Sequence, residues 1–312
     1  MAQPRTLQKP MAHYDVAVYY SSLPRIADRT RKMQVLEAFA DGAQAIGAKT
    51  IRVSDHQIVD ARLAVILGWV GTKLSGAHIM LRQSLIEHQQ RTNNYIMPVD
   101  SSCFKFVDIN SYFLRYSLGG VFYNTNNYAN INSTSSHWDQ IQQKFPLLAF
   151  KPWRSDGQHI LLCLQRDGGW SMKGTDLNQW TMNTIAQIRS ITNRPIRIRP
   201  HPKARNNIAQ FYNIPGITVS NTGSTLEQDL FGAWASVFYN SSSSVASILA
   251  GVPVFVADPD CVAWSVANTD IKQIETPVMP AREQWLYDLA GCHWSDEHSR
   301  LGQIYQHFNE YF

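Results

Sequence analysis

The feature that most constrains this chain is a rhythm. Short apolar runs alternate with segments whose apolar residues recur at helical spacing, and the pattern occurs twice, on either side of a polar stretch. In the first half, residues 15–20, 50–53, 63–69 and 95–99 predict buried strands, and 30–46 and 77–91 predict helices. The 30–46 segment places Met33, Leu36, Phe39, Ala40 and Ala43 at helical spacing. In the second half, residues 159–164, 194–199, 217–219, 236–239 and 254–256 predict strands. Residues 176–191, 226–231 and 242–249 predict helices there, and 281–290 and 296–308 predict two terminal helices. Such alternation argues for mostly parallel sheets covered by helices.

The polar stretch, about residues 104–152, breaks the rhythm. Its segment 110–136 is rich in Asn, Ser and Tyr and contains Gly119-Gly120, which predicts a long functional loop. At roughly 100–200 residues per domain, a chain of 312 residues makes two domains or one large one. The expected division is an N-terminal Rossmann-like domain over 1–155, a second over 156–280, and helices over 281–312 that pack back on the first.

Composition excludes some classes. Aromatic residues are 11% and charged residues 17%, unlike a disordered chain. No apolar run approaches ~18 residues, so no membrane span is expected. The opening Met-Ala-Gln-Pro-Arg carries no apolar segment, so no secretory signal is expected either. Cys103, Cys163, Cys261 and Cys292 form no C-x-x-C pair and read as reduced thiols of a cytoplasmic protein. The net charge of +4 permits an anionic partner without demanding one.

Candidate sites cluster at predicted strand ends, where ligands of open α/β sheets bind. Asn240 and the run Ser241, Ser242, Ser243 and Ser244 follow a strand and open a helix. Amides and hydroxyls there suit a phosphate, although a single capping serine would need no ligand. The segment Arg197 to Lys203 ends a strand at Pro200-His201-Pro202. His201 can donate to a phosphate, with Lys203 or Arg199 adding charge; the alternative is a solvated surface turn. Asp167 and Gly168 follow a third strand, and Gly251 closes the serine segment. No G-x-G-x-x-G is present. Asp258 and Asp260 form a lone D-x-D, a weak metal signal beside the turn reading. In the first half, Asp100 ends a strand and can act as a base. His78 and Arg82 open a helix, and Tyr123 lies in the polar stretch. No G-x-S-x-G or H-E-x-x-H occurs.

Two of these motifs carry a resemblance. A strand ending in Arg-Pro-His-Pro, then a later strand, Asn-Ser-Ser-Ser-Ser-Val and Leu-Ala-Gly-Val-Pro-Val, resembles the second domain of GT-B glycosyltransferases. The likeness is greatest to capsular-polysaccharide and Kdo-type transferases and polysialyltransferases, whose histidine-proline and serine motifs bind donor phosphates. It implies a GT-B-like α/β fold of two Rossmann-like domains facing a cleft, with a nucleotide sugar as co-substrate. A UDP-sugar is the guess, with no required metal and inversion at the sugar carbon. His201 and Ser241 to Ser244 would hold the donor phosphates, with Arg199 and Lys203 beside them. Asp167, Gly168 and Gly251 would lie at the nucleotide. Asp100 is the guess for the base by position, and His78, Arg82 and Tyr123 would meet the acceptor. The 282–295 segment resembles the ends of short bacteriophage glycosyltransferase-like proteins. That points to a hydroxymethylated base of double-stranded phage DNA as acceptor, in the host cytoplasm, with a capsular or surface polysaccharide as the alternative. A non-catalytic nucleotide-sugar-binding or DNA-binding protein is the reading from another class. No protein partner is inferred.

Overall fold

The structure is a computed structural model that describes residues 13–23, 29–70, 76–104, 109–123, 125–166, 169–203, 208–211, 213–221 and 223–312. The first half forms β1 (Tyr14–Tyr19), α1 (Arg29–Ala45), β2 (Thr50–Val53), β3 (Ala61–Leu67), α2 (Ala77–Arg91) and β4 (Tyr95–Asp100). It continues with β5 (Phe113–Tyr116), α3 (Thr125–Tyr128) and α4 (Ser136–Lys144). The second half forms β6 (His159–Cys163), α5 (Leu177–Arg189), β7 (Ile196–Arg199), β8 (Ile217–Val219) and α6 (Leu226–Leu230). It ends with β9 (Ala233–Phe238), α7 (Ser244–Leu249) and β10 (Val254–Val256). The C-terminal segment adds α8 (Glu283–Gly291), β11 (His293–Ser295), α9 (Asp296–Arg300) and α10 (Gln303–Asn309).

The strands make two sheets. The first runs β11-β5-β4-β3-β1-β2, and the second β10-β9-β6-β7-β8. All pairings in the second sheet are parallel. In the first, β1 to β4 are parallel, while β5 runs antiparallel to β4 and β11 antiparallel to β5.

The near-continuous apolar character of the central strands follows from cover on both faces. Val16 and Val18 of β1 join α1 residues Leu36 and Phe39 in one cluster. The intervening Ala17 and Tyr19 join Leu81 and Leu85 of α2 in another. In the second sheet, Ile160 and Leu162 pack with Ile185 and Ile188 of α5, and Leu161 and Cys163 with Val245 and Ile248 of α7. Each fully buried Leu, Ile or Phe contributes about 1.5–3 kcal/mol. The α7 cluster continues through Phe104, Trp138 and Ile141 of the first half to Phe113 of β5, so one apolar cluster joins the second sheet to the β5 edge of the first. Asp176 caps α5 by accepting from the Gln179 amide at 2.7 Å.

The structure corrects the 110–136 reading. The segment contains β5 and α3, and α4 follows it. Strand β5 escapes detection because its four residues, Phe-Leu-Arg-Tyr, include an arginine that is buried against Asp100 and Cys103. The 296–308 helix is two helices, broken at Gly302, whose φ of 74° suits glycine. Strand β11 is not expected from the sequence; it exists by pairing with β5. Beyond it, α9 and α10 pack on α1, and Arg31 of α1 pairs with Asp296. No described helix is long and apolar enough to cross a membrane.

Candidate active site

In the second sheet the connections from β6 lead outward to β7 and β8, then back to β9 and β10 on the other side. The order reverses at β6/β9, and a crevice opens beyond the carboxyl ends of such strands. Here it has a volume of ≈ 450 Å³. One wall comes from the loops after β6, β7 and β9, with Gln165, Arg166, Ser171, His201, Asn240, Ser241 and Ser242, and from Asp260 and Val262. The facing wall comes from the first half, with Asp100 and Ser101 at the end of β4, Arg115 on β5, and Val121, Phe122 and Tyr123 after it.

Buried side chains hold the second-half wall. Gln165 is 5% exposed; its Oε1 accepts from the Asn240 amide at 2.6 Å and its Nε2 donates to Ser171 Oγ at 2.7 Å. Two loops are thereby tied to one residue at the end of β6. The Asn240 side chain donates to Asp258 at 3.0 Å. Within the serine run, Ser243 N donates to Ser241 Oγ at 3.2 Å, and Ser244 Oγ donates to the Ser241 carbonyl at 2.7 Å. Ser244 is buried and Ser243 is half-buried, and neither lines the crevice. Ser241 and Ser242 do line it, and the Ser242 hydroxyl has no hydrogen bond among the described residues.

The Lys203 amide donates to His201 Nδ1 at 3.0 Å. With Nδ1 accepting, a neutral imidazole carries its proton on Nε2. Lys203 thus acts here through its backbone; its exposed side chain is not part of the wall. Arg199 differs from the expectation as well. Its guanidinium is bound to the buried Asp229 and donates to the Thr225 carbonyl at 3.2 Å. The Ile-Arg-Ile-Arg alternation of β7 places Arg197 and Arg199 together on one sheet face, where Asp229 meets both.

In the first-half wall, Asp100 Oδ2 accepts from Arg115 Nη2 at 2.9 Å, and Asp100 Oδ1 accepts from the Ser101 amide at 2.8 Å. Arg115 also lies over the Tyr128 ring at 5.4 Å. Tyr123 accepts from Asn130 at 3.0 Å, and burial holds its phenol well above the ordinary pKa, in the neutral form. His78 and Arg82 are not in the wall. Arg82 is buried where the first sheet's own strand order reverses, between β1 and β3. It donates from Nε to the Ser22 carbonyl at 3.1 Å and from Nη1 to the Trp69 carbonyl at 2.8 Å. Burial lowers its pKa to about 10, with Asp100 opposing. Burial, then the Arg82 charge, lowers that of His78.

Gly251 lies away from the crevice, at the crossing between halves. A Cβ there would sit 1.9 Å from the Pro152 carbonyl oxygen, and its φ is 75°. Asp167 and Gly168 lie outside the described residues. Asp258 and Asp260 both bind Lys173, at 3.0 Å for Asp258. Among the described residues no group of three or more His, Cys, Asp or Glu is placed to hold a metal. All four cysteines are buried and free.

Sequence reasoning missed Arg115, Gln165, Arg166, Phe122 and Lys173. Gln165 had a usable signal, as the first polar residue after a predicted strand. Arg115 had none, because its strand was hidden.

No protein-family model matches the sequence, and no curated protein matches it. Solved structures do resemble it. The KpsC β-Kdo 2,4-transferase of Thermosulfurimonas dismutans superposes with a TM-score of 0.58 at 13% identity, over 90% of this chain and 91% of that one. The KpsC β-Kdo 2,7-transferase of the same organism superposes at 0.55 and 14% identity, over 94% and 99%. With two α/β sheets facing one crevice, shared along nine-tenths of the chain, the fold is of the GT-B type.

Proposed function

We propose that this chain is a glycosyltransferase that moves a sugar from a nucleotide-activated donor to an acceptor hydroxyl. The observation that carries the reading is that one crevice sets Asp100 across from His201, Ser241 and Ser242. The donor phosphates lie against the second-half wall, where Ser242, His201 and Arg166 line the crevice and face developing negative charge. Preorganised donors of this kind stabilise a departing anion strongly. The acceptor hydroxyl meets Asp100, whose carboxyl group is held in place by Arg115 and the Ser101 amide. Its oxygen bonds to the anomeric carbon as the bond from that carbon to the phosphate oxygen breaks; its proton goes to Asp100, and the nucleotide leaves. Attack from the opposite wall inverts the anomeric carbon.

Phe122 and Tyr123 line the first-half wall, and aromatic side chains there suit a sugar ring. A carbohydrate acceptor accords with the fold shared with two Kdo transferases. A hydroxymethylated DNA base is the second reading, resting on the +4 net charge. The test incubates the protein with UDP-, CMP-, GDP- and dTDP-sugars and either an oligosaccharide or hydroxymethylated DNA, read by mass spectrometry. The expected result is one added sugar on the oligosaccharide. Label on DNA alone would select the second reading. Nucleotide retention without transfer to either would make this a binding protein.

A further inference from the structure

The loop between β6 and α5 carries Lys173, which has a left-handed backbone with φ 50° and is followed by Gly174 at 83°. A lysine in that conformation is uncommon and invites a tertiary cause. Three groups converge on it. Its Nζ donates to Asp258 at 3.0 Å and to Asp260, and it lies 4.8 Å from the centre of the Phe122 ring. Asp260 belongs to the second-half wall, Asp258 is tied to that wall through Asn240, and Phe122 belongs to the first-half wall. Asp258 is 5% exposed and accepts from Asn240, the residue that opens the serine run. A continuous chain of contacts therefore runs from the serine run through Asn240, Asp258 and Lys173 to Phe122.

We propose that Lys173 is a positioning residue that clasps the two walls at the rim of the crevice and links the serine run to the aromatic loop opposite. One apolar cluster includes residues of both halves. At the rim the ammonium works in two directions. It neutralises two neighbouring carboxylates that would otherwise repel an anion at Ser241 and Ser242. It also draws the face of Phe122 toward the second-half wall, as a cation over an aromatic ring does. A link between the loops and the serine run rests on the phosphate reading given above; the clasp itself does not.

Hydrogen exchange of the folded protein tests both, because a residue that only stabilised its own loop would leave the opposite loop unchanged. In Lys173→Met, amides of residues 118–123 are expected to exchange roughly two- to thirtyfold faster, the range for loss of such a contact. Phe122→Ala should speed residues 171–176 in return, and Lys173→Arg should keep the wild-type pattern. Phe122→Ala also serves if Lys173→Met does not fold. In the wild type, inorganic pyrophosphate should slow exchange at 240–244 and at 118–123; in Lys173→Met it should slow only 240–244. Unchanged exchange at 118–123 in Lys173→Met, or at 171–176 in Phe122→Ala, overturns the clasp. Pyrophosphate protection of 240–244 without 118–123 in the wild type overturns the link. Protection of neither defeats the phosphate reading, while the variants still decide the clasp.

Discussion

The two sheets are built by different rules. The second is made from one continuous stretch of chain, all parallel, in the order β8-β7-β6-β9-β10. The first has a parallel part, β2-β1-β3-β4, and is extended by antiparallel β5 and by β11, which arrives from nearly two hundred residues further along the chain. The crevice walls differ in the same way. In the second-half wall the loops after β6, β9 and β10 are tied by Gln165 and Asp258, both buried within their own half. The first-half wall carries, beside its aromatic loop, a strand end whose carboxylate is fixed by Arg115, on a strand held between β4 and the C-terminal β11. Local construction gives a wall of many small polar groups. Remote construction gives one positioned charge.

The largest expected effect tests that contrast at the charge. Asp100→Asn should lower the transfer rate by at least about 100-fold, the usual worth of a general base, while calorimetry finds nucleotide binding unchanged. Equal loss of binding would place Asp100 in donor recognition and blur the two walls.

Next comes the remote strand. Trp294 of β11 is 7% exposed and touches His137, His298 and His307. Trp294→Ala should cost about 3–5 kcal/mol, seen by urea unfolding, with hydrogen exchange rising in the first sheet and not in the second. A uniform rise would mean that the shared apolar core joins the sheets into one cooperative unit.

The same cluster sets an acid limit on the first half. Burial, then repulsion from His298, lowers the His137 pKa to about 4, and burial also lowers those of His298 and His307. Glu297 and Glu310 oppose the shift at His298 and His307 respectively. The unfolded chain then binds more protons than the folded one below an ordinary histidine pKa of about 6.5. Stability is therefore full above that pH and falls as pH drops toward 4. Melting temperature should decline by a few degrees across this window, and His137→Gln should flatten the decline.

The smallest effect belongs to the second-half wall. Ser242→Ala removes one of several donors, so nucleotide binding should weaken by about 1 kcal/mol, roughly fivefold. A loss as large as that from Asp100→Asn in turnover would show that this wall, too, rests on a single group.

Much of the second half was legible without a structure. Its strands are apolar, its helices periodic, and each polar motif follows a strand directly, so His201, Ser241 and Ser242 could be named from local order. Arg199 and Ser244 had the same local signal, yet lie elsewhere. Arg199 has a buried partner, Asp229, on a helix thirty residues on, and the Ser244 hydroxyl donates back to the Ser241 carbonyl. Spacing does not reveal which neighbour takes a side chain first.

What the amino-acid order determined by itself is the repeated strand–helix alternation, hence two α/β halves, and the chemistry waiting at their strand ends. Period and burial are local properties, readable from a window of a dozen residues. Only the tertiary structure decided that β11 completes the first sheet, that Arg115 and Asp100 meet, and that Lys173 reaches Phe122. Those contacts join residues far apart in the chain, and their strength comes from burial and geometry that exist only once both sheets have packed over the same core.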